Sequence, residues 1–245
     1  MRINPPNSLP AENKRCLIFI CLLTFFSAHS VLADGSVVSK IHHPYVQPLE
    51  KEIELRTIYE KDDDLKDHQK YKLGYGQSFS DTLFGEIYLI TAKDDGDNLE
   101  IKAYEAELKW QITEQGEYSA DWGVLFELEK EEGDQWEASS TLLVEREWGR
   151  LVSTVNLSVI YEWGDKVDDE LESKLALQVR YRHSPRLEPA IEFFSGEDYQ
   201  GIGPLIMGRE VLGPAKRLRW ELGSIFGIGG DSPDLTIKTS LEYEF

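Results

Sequence analysis

The chain has 245 residues, a formal net charge of −19, 41% hydrophobic and 11% aromatic residues, and only two cysteines. Such an acidic balance repels phosphate and excludes nucleic acid as a partner, along with basic-patch binding to an anionic membrane surface. Both cysteines, Cys16 and Cys21, fall in the first apolar run. If that run is removed, a disulfide scaffold, a cysteine nucleophile and a thiolate metal site go with it.

Residues 1–15 carry Arg2, Lys14 and Arg15 against Glu12, and the apolar run CLIFICLLTFF follows at 16–26. Eleven apolar residues are too few to cross a bilayer as a helix, and Val31-Leu32-Ala33 suits signal peptidase. Residues 1–33 are therefore expected to be a signal peptide, cleaved after Ala33. Residues 34–51 have no period and contain His42, His43, Pro44 and Pro48. They are expected as an extended periplasmic lead-in, or as a segment tucked into a barrel mouth. His42 and His43 bring no third ligand, and the loop with Asp94, Asp95, Asp97 and Asn98 departs from calcium-loop spacing, so neither metal nor cofactor is assigned.

From Glu52 onward apolar residues recur at every second position, the period of a strand with one apolar face. Turn signals divide residues 52–245 into about twelve strands: 52–60, 69–79, 82–91, 99–113, 119–130, 136–148, 150–163, 171–183, 187–195, 202–210, 215–227 and 234–245. The ninth holds Pro189 and the tenth holds Gly203, Pro204 and Gly208, residues that a strand interior tolerates poorly. Alternate connections, 61–68, 93–98, 131–135, 164–170, 196–200 and 229–234, are acidic, whereas the intervening turns are blander. With the first strand rising from the periplasm, the acidic set becomes the outer loops.

The pattern predicts an all-β fold, a closed antiparallel up-and-down transmembrane β-barrel. Twelve strands enclose more volume than side chains readily fill, so the apolar register is expected to face lipid. Trp110, Trp122, Trp136, Trp148 and Trp163 fall at strand ends in that register, as an aromatic girdle requires, and only Trp220 lies deeper. The opposite register is charged: Glu105, Glu107, Lys109, Glu127, Glu129, Lys174, Arg180, Arg182, Arg217, Arg219 and Glu221 are expected to line a wet lumen. Within it, the basic group at 174–219 either faces the glutamates across a transverse field or forms a salt-bridged filling.

The chain closes on Leu241-Glu242-Tyr243-Glu244-Phe245. Alternate apolar residues ending in a terminal Phe resemble the C-terminal signature of Gram-negative outer-membrane β-barrel proteins. The resemblance implies that Leu241, Tyr243 and Phe245 are read by the barrel-assembly machinery, and that the partners are outer-membrane lipid and lipopolysaccharide. Over 52–245 the chain is similar to small twelve-stranded channels and transporters, some grouped with aromatic-compound uptake. A passive channel for small polar solutes is the reading that follows. A closed structural or interaction barrel is the alternative. A lipid-modifying enzyme would need a Ser/His pair on the lipid face near the outer leaflet; the close pair in the barrel, His183 and Ser184, falls at an inner turn. The chain is accordingly read as a non-enzyme.

Overall fold

A computed structural model of the chain describes residues 37–61, 67–94, 97–165, 167–230 and 232–245. The cleavage position at Ala33 and most of the acidic stretch 61–68 lie outside the described residues. Twelve strands run in chain order: β1 (Lys51–Lys61), β2 (His68–Ser78), β3 (Leu83–Asp94), β4 (Glu100–Gln111), β5 (Asp121–Glu131), β6 (Gln135–Trp148), β7 (Leu151–Gly164), β8 (Val167–Tyr181), β9 (Glu188–Ser195), β10 (Tyr199–Gly213), β11 (Lys216–Gly230) and β12 (Leu235–Glu244). Each pairs antiparallel with the next, and β1 pairs with β12, so the sheet closes without an edge. Closure satisfies every strand's backbone groups, the condition a sheet must meet to cross lipid.

The two registers of each strand part as the alternation requires. Ile53, Leu55, Leu73, Ile87, Leu108, Phe126, Leu157, Val179, Leu222 and Leu241 point outward and are exposed. Their neighbours Glu52, Glu54, Glu86, Glu107, Asn156, Gln178, Glu242 and Glu244 are buried inside. In water this arrangement would expose a large apolar surface and hide the charges; in a bilayer each face meets its preferred medium.

Two local features depart from the expected boundaries. The connection expected at 164–170 is mostly strand, since β7 and β8 pair out to Gly164 opposite Val167. Alternation continues there through acidic residues, and a paired strand does not need apolar ones once it rises beyond the lipid. The tenth strand is one continuous element of 15 residues despite Pro204. Pro204 sits opposite Ile191 of β9. Gly203 has no side chain for a physical reason: a Cβ there would lie 1.8 Å from the carbonyl oxygen of Ser224 on β11. At this point two strands approach more closely than a side chain permits.

Candidate functional site: a lumen half filled by its own N-terminal segment

The rim that carries the start of β1 and the end of β12 is called the inner rim, and the opposite one the outer rim. Residues 37–50 have no regular secondary structure, yet they do not trail away from the inner rim. They run through the barrel interior. Val38 and Ile41 are buried against Ala176, Phe194, Tyr199 and Ile225, which project inward from β8 to β11. Val37 lies against Gly196. Of the two expected placements of the lead-in, the structure shows the tucked one, and more deeply than a mouth.

Polar contacts fix the segment along its length. Lys238 Nζ donates to the Ser39 carbonyl at 2.9 Å. Lys40 Nζ bridges Glu54 of β1 and Glu242 of β12, both at 2.9 Å. The Asn156 side chain receives the His42 amide at 2.7 Å and donates to the His42 carbonyl at 2.9 Å, which imitates a strand bridge. His43 Nδ1 pairs with Glu145, whose carboxylate also accepts from Thr154 at 2.8 Å. Tyr45 donates to Asp121 at 2.7 Å, and the Val46 amide donates to Gln111 at 2.7 Å. Near the inner rim Ser78 donates to the Gln47 carbonyl, and Arg217 donates to its side chain at 2.7 Å. Leu49, at φ 64°, then turns the chain out of the lumen into β1.

The electrostatics of the segment follow from burial. Burial alone would push Lys40 down, but Glu242 and Glu54 outweigh it and hold the ammonium well above the usual lysine range. Burial keeps the His42 imidazole neutral, well below the usual histidine range, against the opposing pull of Glu107. Burial, then Glu145, pushes the Tyr45 phenol up. Ordering each residue costs about 1 kcal/mol or more of backbone entropy. One of these contacts contributes about as much.

Around it the wall carries a dense ion-pair network. Arg56 lies 2.8 Å from Glu54 and 3.5 Å from Glu107, and Lys72 lies 2.6 Å from Glu105 and 3.4 Å from Glu107. Arg56 and Lys72 both lie over the ring of Tyr88, at 4.7 and 4.6 Å from its centroid. Gly74 makes room for that ring, because a Cβ there would lie 2.2 Å from it. Lys238 pairs with Glu192 at 2.8 Å, and Gln178 donates to Glu192 at 2.9 Å.

The residues singled out from sequence separate by height. Glu105 and Glu107 sit at mid-depth on β4, whereas Glu127 and Glu129 occupy the outer half of β5. Lys109 lies near the inner rim with its ammonium 5.1 Å from the centre of the Phe84 ring. Lys174 is half-way along β8. Arg180 lies at the end of that strand and Arg182 just past it, pairing with Glu188 at 3.1 Å and with Glu147 at 2.5 Å. Arg217 and Arg219 start β11 and pair with Glu244 at 3.2 and 2.6 Å. Glu221 follows on the same inward register. The four arginines thus hold the inner rim together and do not face the glutamates of β5 across the lumen. Of the two arrangements weighed from sequence, a transverse field and a salt-bridged filling, their geometry is that of the second.

Sequence reasoning did not single out Lys40, Glu54, Arg56, Lys72, Tyr88, Asn156 or Glu192. The signal for most of them was their register, opposite the apolar one. Lys40 gave no signal and Asn156 only its register, because their role exists only once the segment is inside.

Beside the segment, whose Val37 to Lys40 and His42 form part of its lining, a vestibule of about 180 Å³ remains. Glu105, Glu127, Glu129, Glu137, Glu172 and Lys174 line it, with Lys40, Arg56 and Lys238 toward its floor and far wall. On the exterior, Trp110, Trp122 and Trp148 are exposed toward the inner rim. Trp136 and Trp163 stack at the outer rim, 6.3 Å apart and 8° from parallel. Trp220 is half-buried beside Gly208. Tyr243 and Phe245 stack at 5.8 Å on the inner rim. His183 and Ser184 lie in the turn between β8 and β9, where the His183 amide donates to the Tyr181 carbonyl and Ser184 bridges Leu187.

A closed twelve-stranded barrel with an apolar exterior and an ionic interior is the fold of bacterial outer-membrane β-barrels, and the chain has that fold. Comparison with solved structures agrees. The COG4313 outer membrane channel from Pseudomonas putida F1 superposes with a TM-score of 0.58 at 11% identity, covering 85% of this chain and 100% of that one. The KdgM porin in complex with disordered oligogalacturonate superposes with a TM-score of 0.53 at 12% identity, covering 79% and 99%. At such identities the likeness is one of fold. No protein-family model matches the chain, and no curated protein matches it.

Proposed function

We propose that the protein is an outer-membrane channel for small polar solutes whose lumen is closed at rest by residues 37–50. The observation that carries this reading is the division of the lumen. Beside β4 to β8 the lumen keeps an open, charged vestibule, whereas along β9 to β11 it is occupied by a segment that is not part of the sheet. A barrel built only as a scaffold has no need of a solvated entrance beside a separable filling. On this reading the lumen-lining charges conduct or repel solutes in passing, and Leu241, Tyr243 and Phe245 serve assembly. The aromatic girdle meets lipid and lipopolysaccharide at the rims, and export follows cleavage near Ala33.

The second reading, a closed barrel without conductance, is favoured by the number of contacts holding the segment. Planar-bilayer recording separates the two. The refolded mature protein is expected to show rare openings, and a variant lacking residues 37–48 a steady conductance. Heat-modifiable migration on a gel confirms that each is a closed barrel. A folded deletion variant that stays silent would sink the channel reading.

A further inference from the structure

Much of what holds the lumenal segment touches its main chain. Asn156 of β7 accepts from the His42 amide at 2.7 Å and donates to the His42 carbonyl at 2.9 Å. Lys238 of β12 donates to the Ser39 carbonyl at 2.9 Å, and Gln111 at the end of β4 accepts from the Val46 amide at 2.7 Å. Ser78 at the end of β2 donates to the Gln47 carbonyl. The wall thus reads N–H and C=O groups that every peptide carries. The segment has no helix or strand of its own to absorb these groups, so their burial requires partners from the wall.

The side-chain contacts add a short pattern. Val38 and Ile41 fill an apolar pocket made by Ala176, Phe194, Tyr199 and Ile225. Lys40, between them in sequence, is held by Glu54 and Glu242. Together they describe a lysine with one apolar residue two places before it and another directly after it. The vestibule borders this same stretch, for Ser39, Lys40 and His42 line it, and so do Asn156, Ala176 and Lys238. A solute in the vestibule therefore stands next to the groups that hold the segment.

We propose that residues 37–46 stand in for the solute: the lumen binds oligopeptides in an open, non-helical conformation and prefers a lysine set between apolar residues. Asn156 offers an acceptor and a donor to the two main-chain groups of one residue, as a neighbouring strand does. A sugar or a small ion has no such amide and carbonyl to meet it, and nothing to place against Phe194 and Ile225. When the segment leaves, water takes its place on these groups, and an incoming peptide displaces that water with the bonds the segment made. The inference rests on reading the barrel as a channel for polar solutes, and it names the class of solute.

Calorimetric titration of the refolded mature barrel, its own segment included, tests this with a synthetic peptide of residues 37–46. The peptide competes with a tethered copy of itself, so a variant that loosens the copy should tighten the peptide by the factor that it raises the open fraction. Lys40→Ala is expected to tighten it at least about tenfold, and Val38→Ala less strongly in the same direction. Heat-modifiable migration shows that each variant has folded. In the Lys40→Ala barrel, Glu242→Gln should weaken the peptide about fivefold and leave unchanged a peptide with glutamine in place of its lysine. An ester in place of the amide at the position of His42 should also cost about fivefold, and Asn156→Ala should abolish that difference. Sucrose is the comparison from another class of solute. Peptide binding that is absent or equal in the wild type and both loosened variants, an ester that changes nothing, or sucrose bound as tightly would each overturn the site. Binding is read without current, so a silent bilayer refutes the channel and leaves the peptide site standing, while conductance without peptide binding refutes the site alone.

Discussion

The inner and outer halves of this lumen are built from the same inward register, and they use charge in opposite ways. In the inner half nearly every cation has a carboxylate: Arg180 with Glu188, Arg182 with Glu147, Arg219 with Glu242 and Glu244, and Lys40 with Glu54 and Glu242. In the outer half glutamate stands opposite glutamate across β4 to β8. Paired charges fix a chain segment in place, whereas like charges directly opposite one another weaken the sheet that carries them. The comparison teaches that a polar barrel interior is not of itself a pore; what matters is how its charges are arranged around the chain that occupies it.

The largest expected effect comes from taking the segment out of the lumen. Removing residues 37–48 should turn rare openings into steady current, measured in a planar bilayer, because the ionic wall around Glu54 and Glu242 then hydrates. Next is Lys40→Ala, which leaves Glu54 and Glu242 facing each other without their shared cation. Breaking a buried pair costs about 3 kcal/mol. Here the segment can leave before the barrel unfolds, so the penalty should appear as an open fraction raised about a hundredfold. A barrel that keeps its closed state in this variant would show that the apolar contacts of Val38 and Ile41 suffice.

A pH series sharpens the comparison further. His42 titrates lower when docked than when free, so docking is fully stable above the ordinary histidine range and weakens as pH falls through it. Glu107 favours the proton, whereas Arg56, Lys40 and Lys109 oppose it. Open probability should rise toward pH 5, by at most about tenfold per unit of pH for one proton, and His42→Gln should flatten the profile. The smallest effect is expected at the hinge. Leu49 holds a left-handed backbone that costs a branched residue about 1 kcal/mol. Leu49→Gly should favour the docked turn by less than that, lowering the open fraction a few-fold.

Much of the barrel was legible in the chain. Strand number, the outward face of Ile53, Leu55 and Leu241, and the strand-end tryptophans follow from alternation, because a period of two leaves only one question, which face meets oil. The tenth strand, expected at 202–210 despite Gly203 and Pro204, runs over Tyr199–Gly213, and composition cannot reveal that β10 and β11 approach too closely there for a side chain. The outer end of β8 was missed because a strand above the lipid need not look greasy.

The candidate site divides in the same manner. Which residues point inward was written in the order of amino acids, for each strand carries its own parity. Who meets whom across the lumen was not, because Lys40 reaches Glu242 across 202 positions of chain, and Glu105 meets Glu129 only through a register that closure of the whole barrel sets. An aperiodic stretch such as 34–51 states no partner of its own; only the folded wall, offering Asn156, Glu145 and Glu54 at matching heights, decided that it lies inside.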